Sequence, residues 1–292
     1  MKFRSRILLC FAASTLGILP VYSQETPEPS AGTEESAQKS FDDFINSLSW
    51  QKDGIAQLGS RAQILVPDGY RFTGSGDTSK LMEYYGNLSN GSELGYIAPI
   101  GMEWFAVFQF EEVGYVKDDE KDKLDADKIL KDLQEGQQAA NNELIRLNRP
   151  TLTVNGWHTK PFYNTKTNNL EWAIRLSSSG GEILNYKTKL LGRHGVMDVV
   201  LVCSEEQLAS VVPQYQELLE GFSYKKEESY AAYTKGDKIA EYGLIGLISG
   251  GGLLLAAKTG LLAKLWKPIA IGLVAIGAFL KRIFKGNTKE SI

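Results

Sequence analysis

The chain has 292 residues, 32 Lys and Arg against 35 Asp and Glu, and a net charge of −3, with 43% apolar and 23% charged residues. So small a net charge, with no Lys/Arg stripe through the middle of the chain, excludes a nucleic-acid partner. The apolar residues are concentrated at the two ends, and the mixed stretch between them reads as an ordinary folded domain.

Lys2, Arg4 and Arg6 precede the apolar run Ile7 to Pro20, and Val21-Tyr22-Ser23 then stands before Gln24. A basic start, a short apolar core and small residues describe a secretory signal peptide over residues 1–23, cut between Ser23 and Gln24. The run is short for a span, which needs about 20 apolar residues; an uncleaved anchor is the alternative. Acylation at Cys10 is disfavoured because Ile7-Leu8-Leu9 puts bulk where a small residue is wanted. Cleavage leaves Cys203 as the one cysteine, and it ends the apolar run Val199–Val202 as an expected core thiol. A domain of about 190 residues buries enough surface to stand without disulfides.

Residues 24–40 are rich in Pro, Ser, Thr and Glu and lack large apolar side chains, so they are expected to form a flexible linker. An exported domain is expected over 41–235. Phe41, Phe44, Ile45 and Leu48 fall at helical spacing. Arg61 to Val66 reads as a strand stopped by the turn residues Pro67-Asp68-Gly69. Trp104 to Phe110 is the strongest strand, dense in aromatic and β-branched side chains. After an acidic stretch, Leu124, Ile129, Leu133 and Leu144 to Leu147 mark a long charged helix that ends by Arg149-Pro150.

Downstream, Leu170–Leu176, Ile183–Leu191 and Val196–Cys203 are separated by turn residues and predict an antiparallel meander. A helix from Ser204 to Glu220 follows, with a kink expected at Pro213, and Phe222 and Tyr224 close the domain. Strands that pair locally, with helices grouped beside them, point to an α+β fold: an antiparallel sheet with packed helices.

Residues 236–292 are expected to be a C-terminal membrane anchor of one or two helices, a transmembrane helix or a helical hairpin. Tyr242 to Ala257 gives a first apolar run bounded by Lys258, and Pro268 to Leu280 gives a second. Tyr242, Gly243, Gly246, Gly250, Leu254, Ile271, Leu273 and Phe279 are the expected anchor residues. With the domain exported, a first span puts Lys258, Lys264 and Lys267 on the cytoplasmic side, as the positive-inside rule wants. A hairpin returns Lys281, Arg282, Lys285 and Lys289 to the outside, so one span followed by an interfacial helix is preferred. Gly246-x-x-x-Gly250 offers a smooth face through which two copies could associate.

Candidate chemistry is sparse. Asp118, Asp119, Glu120, Asp122, Asp125 and Asp127 could gather a hard cation. Interleaved lysines and the lack of a calcium-loop glycine favour a solvated helix start. His158 and His194 are the only histidines, and no serine carries a nucleophile-elbow pattern. Gly74-x-Gly76 lacks a third glycine, and no helix is expected after it. Trp157, Tyr163, Trp172 and Tyr186 could line an aromatic groove, although core packing is commoner. No catalytic, cofactor-binding or metal residue is assigned, and no cofactor is expected.

Several pieces in order carry a resemblance: Tyr85-Gly86-Asn87, GYVKDDE from Gly114 to Glu120, Gly156-Trp157 with Pro161-x-Tyr163, and Leu170-x-Trp172-Ala173. Leu184-Asn185-Tyr186, Leu191-Gly192-Arg193-x-Gly195-Val196 and Asp237-Lys238-Ile239-Ala240-x-Tyr242-Gly243 continue it. From Trp50 through Leu262 the chain resembles the bacterial membrane-anchored proteins grouped as domain of unknown function 2167. The resemblance implies an exported bacterial domain with a C-terminal anchor and carries no established activity. Where that family tends to have an acidic residue after Pro-x-Tyr, this chain has Asn164.

The leading expectation is a non-catalytic binding, sensing or assembly module at the bacterial inner membrane, its soluble domain facing the periplasm. Its partner would be an unidentified protein or small molecule. The alternative is a membrane-tethered hydrolase or metal-dependent enzyme using His158, Glu171, Asp198 and His194. A transport or channel component ranks last, because the tail has only one or two short spans.

Overall fold

A computed structural model describes residues 40–84, 91–146, 151–178 and 181–249. Helix α1 covers residues 40–47, ahead of strands β1 (Gly54–Leu58), β2 (Ala62–Val66) and β3 (Tyr70–Gly74). Helix α2 (Ser75–Tyr84), strands β4 (Glu93–Pro99) and β5 (Phe105–Glu111) and the long helix α3 (Ala126–Arg146) come next. The meander β6 (Thr153–Asn164), β7 (Asn169–Ser178), β8 (Gly181–Leu191) and β9 (Val196–Val202) leads into α4 (Glu205–Glu220), β10 (Phe222–Tyr224) and the short α5 (Leu244–Ser249).

The large sheet has seven strands in the order β3-β4-β5-β9-β8-β7-β6, and a three-stranded sheet runs β1-β2-β10. Every pairing between these strands is antiparallel. The expected α+β fold, an antiparallel sheet with packed helices, is therefore what the chain adopts. No helix among the described residues is long and apolar enough to cross a membrane.

The large sheet is covered on both faces, so its middle strands bury residues on both sides instead of alternating between buried and exposed. On the first face, Ala106, Phe108, Met197, Val199 and Leu201 meet Ile64 and Val66 of the small sheet and Leu208, Val211, Tyr215 and Leu218 of α4. On the second face there are two separate cores. Tyr96, Phe105 and Val107 pack under α1 and α2 through Ile45, Leu81 and Met82. Leu170, Trp172, Ile174, Leu191 and Val196 pack under α3 and α5 through Ile129, Leu244, Leu247 and Ile248. Each fully buried side chain of this size contributes about 1.5–3 kcal/mol.

Helix α4 starts where the Ser204 hydroxyl accepts from the Gln207 N–H and the Gln207 side chain returns a bond to the Ser204 backbone, a reciprocal cap. The helix continues through Pro213 to Glu220. Two elements run against the sequence reading. A helix does follow Gly74-x-Gly76: α2, whose buried residues are only Thr78, Leu81 and Met82, too few to leave a periodic apolar signal. It links strands β3 and β4, which pair antiparallel, so the unit is not the parallel strand-helix-strand of a dinucleotide site. Strand β6 was hidden by Gly156, Lys160 and Pro161, and its pairing with β7 shifts register three times. As an edge strand it tolerates proline and bulges that a central strand would not.

Candidate functional site

Three sequence pieces that lie far apart in the chain meet at one end of the large sheet: GYVKDDE, the β8–β9 turn Leu191–Val196, and Asp237–Gly243. Tyr115 donates its N–H to the Lys238 carbonyl at 2.8 Å and accepts from the Ala240 N–H at 2.9 Å, making a one-rung parallel bridge. Gly114 permits this approach. It sits at φ +98°, and a Cβ there would lie 2.7 Å from the Lys238 carbonyl oxygen. Its own N–H donates to the His194 carbonyl at 3.0 Å, tying the β8–β9 turn to the same joint.

Within that turn, a Cβ on Gly195 would collide with the Glu111 backbone, so only glycine lets β9 start beneath the end of β5. Arg193 reaches across to Asp237 with a two-pronged bond, Nε to Oδ2 at 2.7 Å and Nη2 to Oδ1 at 2.9 Å. The Thr234 N–H also donates to Asp237 at 2.8 Å. These donors, Arg193 foremost, hold the Asp237 carboxyl well below the usual range. Beside them Glu228 accepts from Arg61 Nη1 at 2.7 Å and pairs with His194 Nδ1 at 2.9 Å. Burial pushes the Glu228 carboxyl up, but bonds from His194 and Arg61 outweigh it and bring it down.

The acidic stretch does local work here. Asp125 Oδ1 accepts the N–H groups of Asp127 and Lys128 and so caps α3. Glu120 Oε2 accepts the N–H of Ile245 at 2.9 Å and caps α5. A Cβ on Gly243 would press on that carboxylate. Among the described residues no group of His, Cys, Asp and Glu is placed to hold a metal ion.

Of the expected anchor residues, Tyr242, Gly243 and Gly246 lie in this joint and in α5, while Gly250, Leu254, Ile271, Leu273 and Phe279 fall outside the described residues. Ser23 and Gln24 fall outside them too. Leu244, Leu247 and Ile248 are buried against the domain. A Cβ on Gly246 would meet the Tyr242 side chain at 2.6 Å, so Gly246 gives its space to its own chain.

Next to the joint, the second face of the large sheet holds a buried ionic cluster between its two apolar cores. Antiparallel register sets Asp198 of β9 opposite Lys189 of β8. Lys189 Nζ lies 3.2 Å from Asp198 Oδ2 and 2.7 Å from Glu111 Oε1, and Lys187 Nζ lies 3.7 Å from Asp198 Oδ2. Burial depresses the Lys187 amine; for Lys189 the same burial is outweighed by Asp198 and Glu111, and it stays charged. The two lysines likewise hold Asp198 ionised against burial. Burial, then the Glu111 charge, raises the Tyr242 hydroxyl, while Lys189 opposes them.

The residues of the enzymatic alternative do not come together. Glu171 points to the first face, where the Tyr186 hydroxyl donates to it at 2.7 Å, and Asp198 points to the second. His158 is exposed on the edge strand β6, and His194 belongs to the joint. The four aromatic residues do not line one groove. Trp172 is buried on the second face and Tyr186 on the first, while Trp157 and Tyr163 pack against the core beneath α3. Cys203 packs half-buried against the first core, where burial pushes its thiol up to about 12.

No curated protein matches the chain. Among solved structures, the chain is similar to the solution structure of cyanobacterial PsbP (CyanoP) from Synechocystis sp. PCC 6803. Identity is 10% and the TM-score 0.35, with 61% of this chain and 93% of that one covered. The family model described as protein of unknown function (DUF2167) matches residues 50–280, a stretch that contains all three pieces of the joint; the chain belongs to that family.

Proposed function

We propose that the protein is a membrane-anchored module of the bacterial envelope whose domain faces the periplasm and binds a partner without catalysing a reaction. The observation that carries this reading is the joint. Residues set aside by the family resemblance fasten the root of the tail to the sheet, and the sequence beyond it is apolar. Fixing a root this firmly gives a tethered domain a defined attitude to whatever holds the tail.

Leu244, Leu247 and Ile248 are buried against the domain, and the same side chains cannot also face lipid. The part of the tail that crosses hydrocarbon therefore falls within residues 250–280, where Lys258, Lys264 and Lys267 interrupt two apolar runs. With Gly246 filled by Tyr242, any close approach of a second copy through the tail centres on Gly250 instead.

Fusions of a reporter active only outside the cytoplasm test this reading. Activity is expected after Tyr230 and none after Ile292; a fusion after Lys264 tells which apolar run crosses. Inactivity of the Tyr230 fusion, or recovery of the full chain in the soluble fraction, overturns the reading. Turnover of a generic ester, phosphate or glycoside that is lost in His194→Ala would overturn the non-catalytic part of it.

A further inference from the structure

We propose that the end of the domain carrying the joint rests on the headgroup layer of the bilayer, through an aromatic patch centred on Tyr233 and Ile239. This rests on the membrane reading above and adds which surface of the domain meets the lipid.

The patch begins with three tyrosines. Tyr115 stacks on Tyr230, with ring centroids 4.6 Å apart, and Tyr233 lies tilted against Tyr115 at 4.2 Å. The Tyr230 hydroxyl is satisfied inward, donating to the Val116 carbonyl at 3.0 Å. Tyr233 and Ile239 each remain 37% exposed, although both belong to the segment that the joint holds rigidly. Stacked phenols with polar tips, beside an open aliphatic chain, suit the headgroup region, where tyrosine is enriched.

Charge around the patch favours contact. The buried-side acids are already neutralised, Asp237 by Arg193 and Glu228 by Arg61. Asp118 is paired with Lys121 at 3.3 Å. Lys117, Lys235 and Lys238 stand exposed beside the tyrosines, against exposed Asp119 and Glu241. The balance is close to neutral, so the attraction is interfacial first and ionic second.

The occupant follows from where the chain goes. Directly after Ile239 the chain passes Tyr242 and enters α5, whose six residues advance it only about 9 Å. The described chain therefore ends at Ser249 a short way from the patch, and the apolar sequence follows directly in the chain.

The test uses the full chain, with Cys10 and Cys203 replaced by alanine, reconstituted in phosphatidylcholine vesicles that carry a nitroxide on a fraction of their headgroups. A fluorophore is placed singly at Tyr233→Cys, Ile239→Cys and Ile100→Cys. Ile100 is 57% exposed at the opposite end of the large sheet, beyond β4. Near-ultraviolet circular dichroism checks that each variant is folded. Quenching at the two patch positions should exceed that at Ile100 by roughly two-fold or more, and should persist in high salt. Equal quenching at all positions, or stronger quenching at Ile100, overturns this orientation while leaving the anchor intact. Release of the protein by alkaline extraction overturns the anchor and the orientation together.

Discussion

The Glu120 carboxylate caps the backbone N–H of Ile245, a residue 125 positions downstream, at 2.9 Å. One side chain from the acidic stretch thereby decides where α5 begins. Removing it in Glu120→Ala should cost about 1 kcal/mol, the ordinary worth of a helix cap. The loss should be local: faster amide exchange from Tyr242 to Ser249, with β8 and β9 unchanged.

Gly114 is less forgiving. Its φ of +98° is rarely adopted by L side chains, and a Cβ would sit 2.7 Å from a backbone oxygen that cannot swing aside. Gly114→Ala should destabilise the domain by at least about 2 kcal/mol in urea unfolding. Gly69→Ala, which also has positive φ but nothing within 4 Å of its Cβ, should cost less. Equal costs would mean that backbone strain alone, and not closure of the joint, governs the site.

The clasp between Arg193 and Asp237 should fail in acid. Because the folded-state pKa of Asp237 is lowered, its stabilisation is fully present above the unfolded aspartate value of about 3.9. It is lost as pH falls from there through the folded value. The urea midpoint of the wild type should exceed that of Asp237→Asn at neutral pH, and the gap should close in strong acid. Arg193→Lys should also lose stability, since a lysine cannot supply the two-pronged geometry.

In the ionic cluster, Lys189 is 1% exposed and bonds both Glu111 and Asp198. Lys189→Met leaves Asp198 with Lys187 alone, at 3.7 Å, and should cost about 3–5 kcal/mol, the usual penalty for breaking a buried ion pair from one side. Lys189→Met combined with Asp198→Leu should cost less than the sum of the two single changes. Thermal melts of the three variants provide the comparison.

Much of the fold was legible because its strands are apolar enough to declare themselves. Trp104–Phe110, Leu170–Leu176 and Val196–Cys203 appear as β5, β7 and β9 within a residue or two at most ends, and the expected helix after Ser204 is α4. Strands β1, β3 and β4 were not distinguished, being short or interrupted by glycine and proline. The joint was only half visible. Its pieces stood out one by one as family-like residues, but nothing local says that Tyr115 pairs with Ile239 or that Arg193 faces Asp237. The ionic cluster left a readable trace in Lys187-x-Lys189 within a mixed strand and Asp198 within an otherwise apolar one. Knowing that they meet requires the β8–β9 register, which the turn at Gly192–Gly195 supplies. Asp198 looked like a possible catalytic acid in sequence because the lysines that pair with it lie on the neighbouring strand.

The small sheet has a consequence for biosynthesis. Its middle strand β2 takes one neighbour, β1, from just upstream, but the other, β10, arrives only after α4 has been made. A chain emerging from its N-terminus therefore carries an unfilled strand edge, with Leu65 50% exposed beside it even in the finished fold, until nearly the whole domain is synthesised. Truncation before Phe222 should consequently yield sticky, self-associating material instead of a smaller soluble unit.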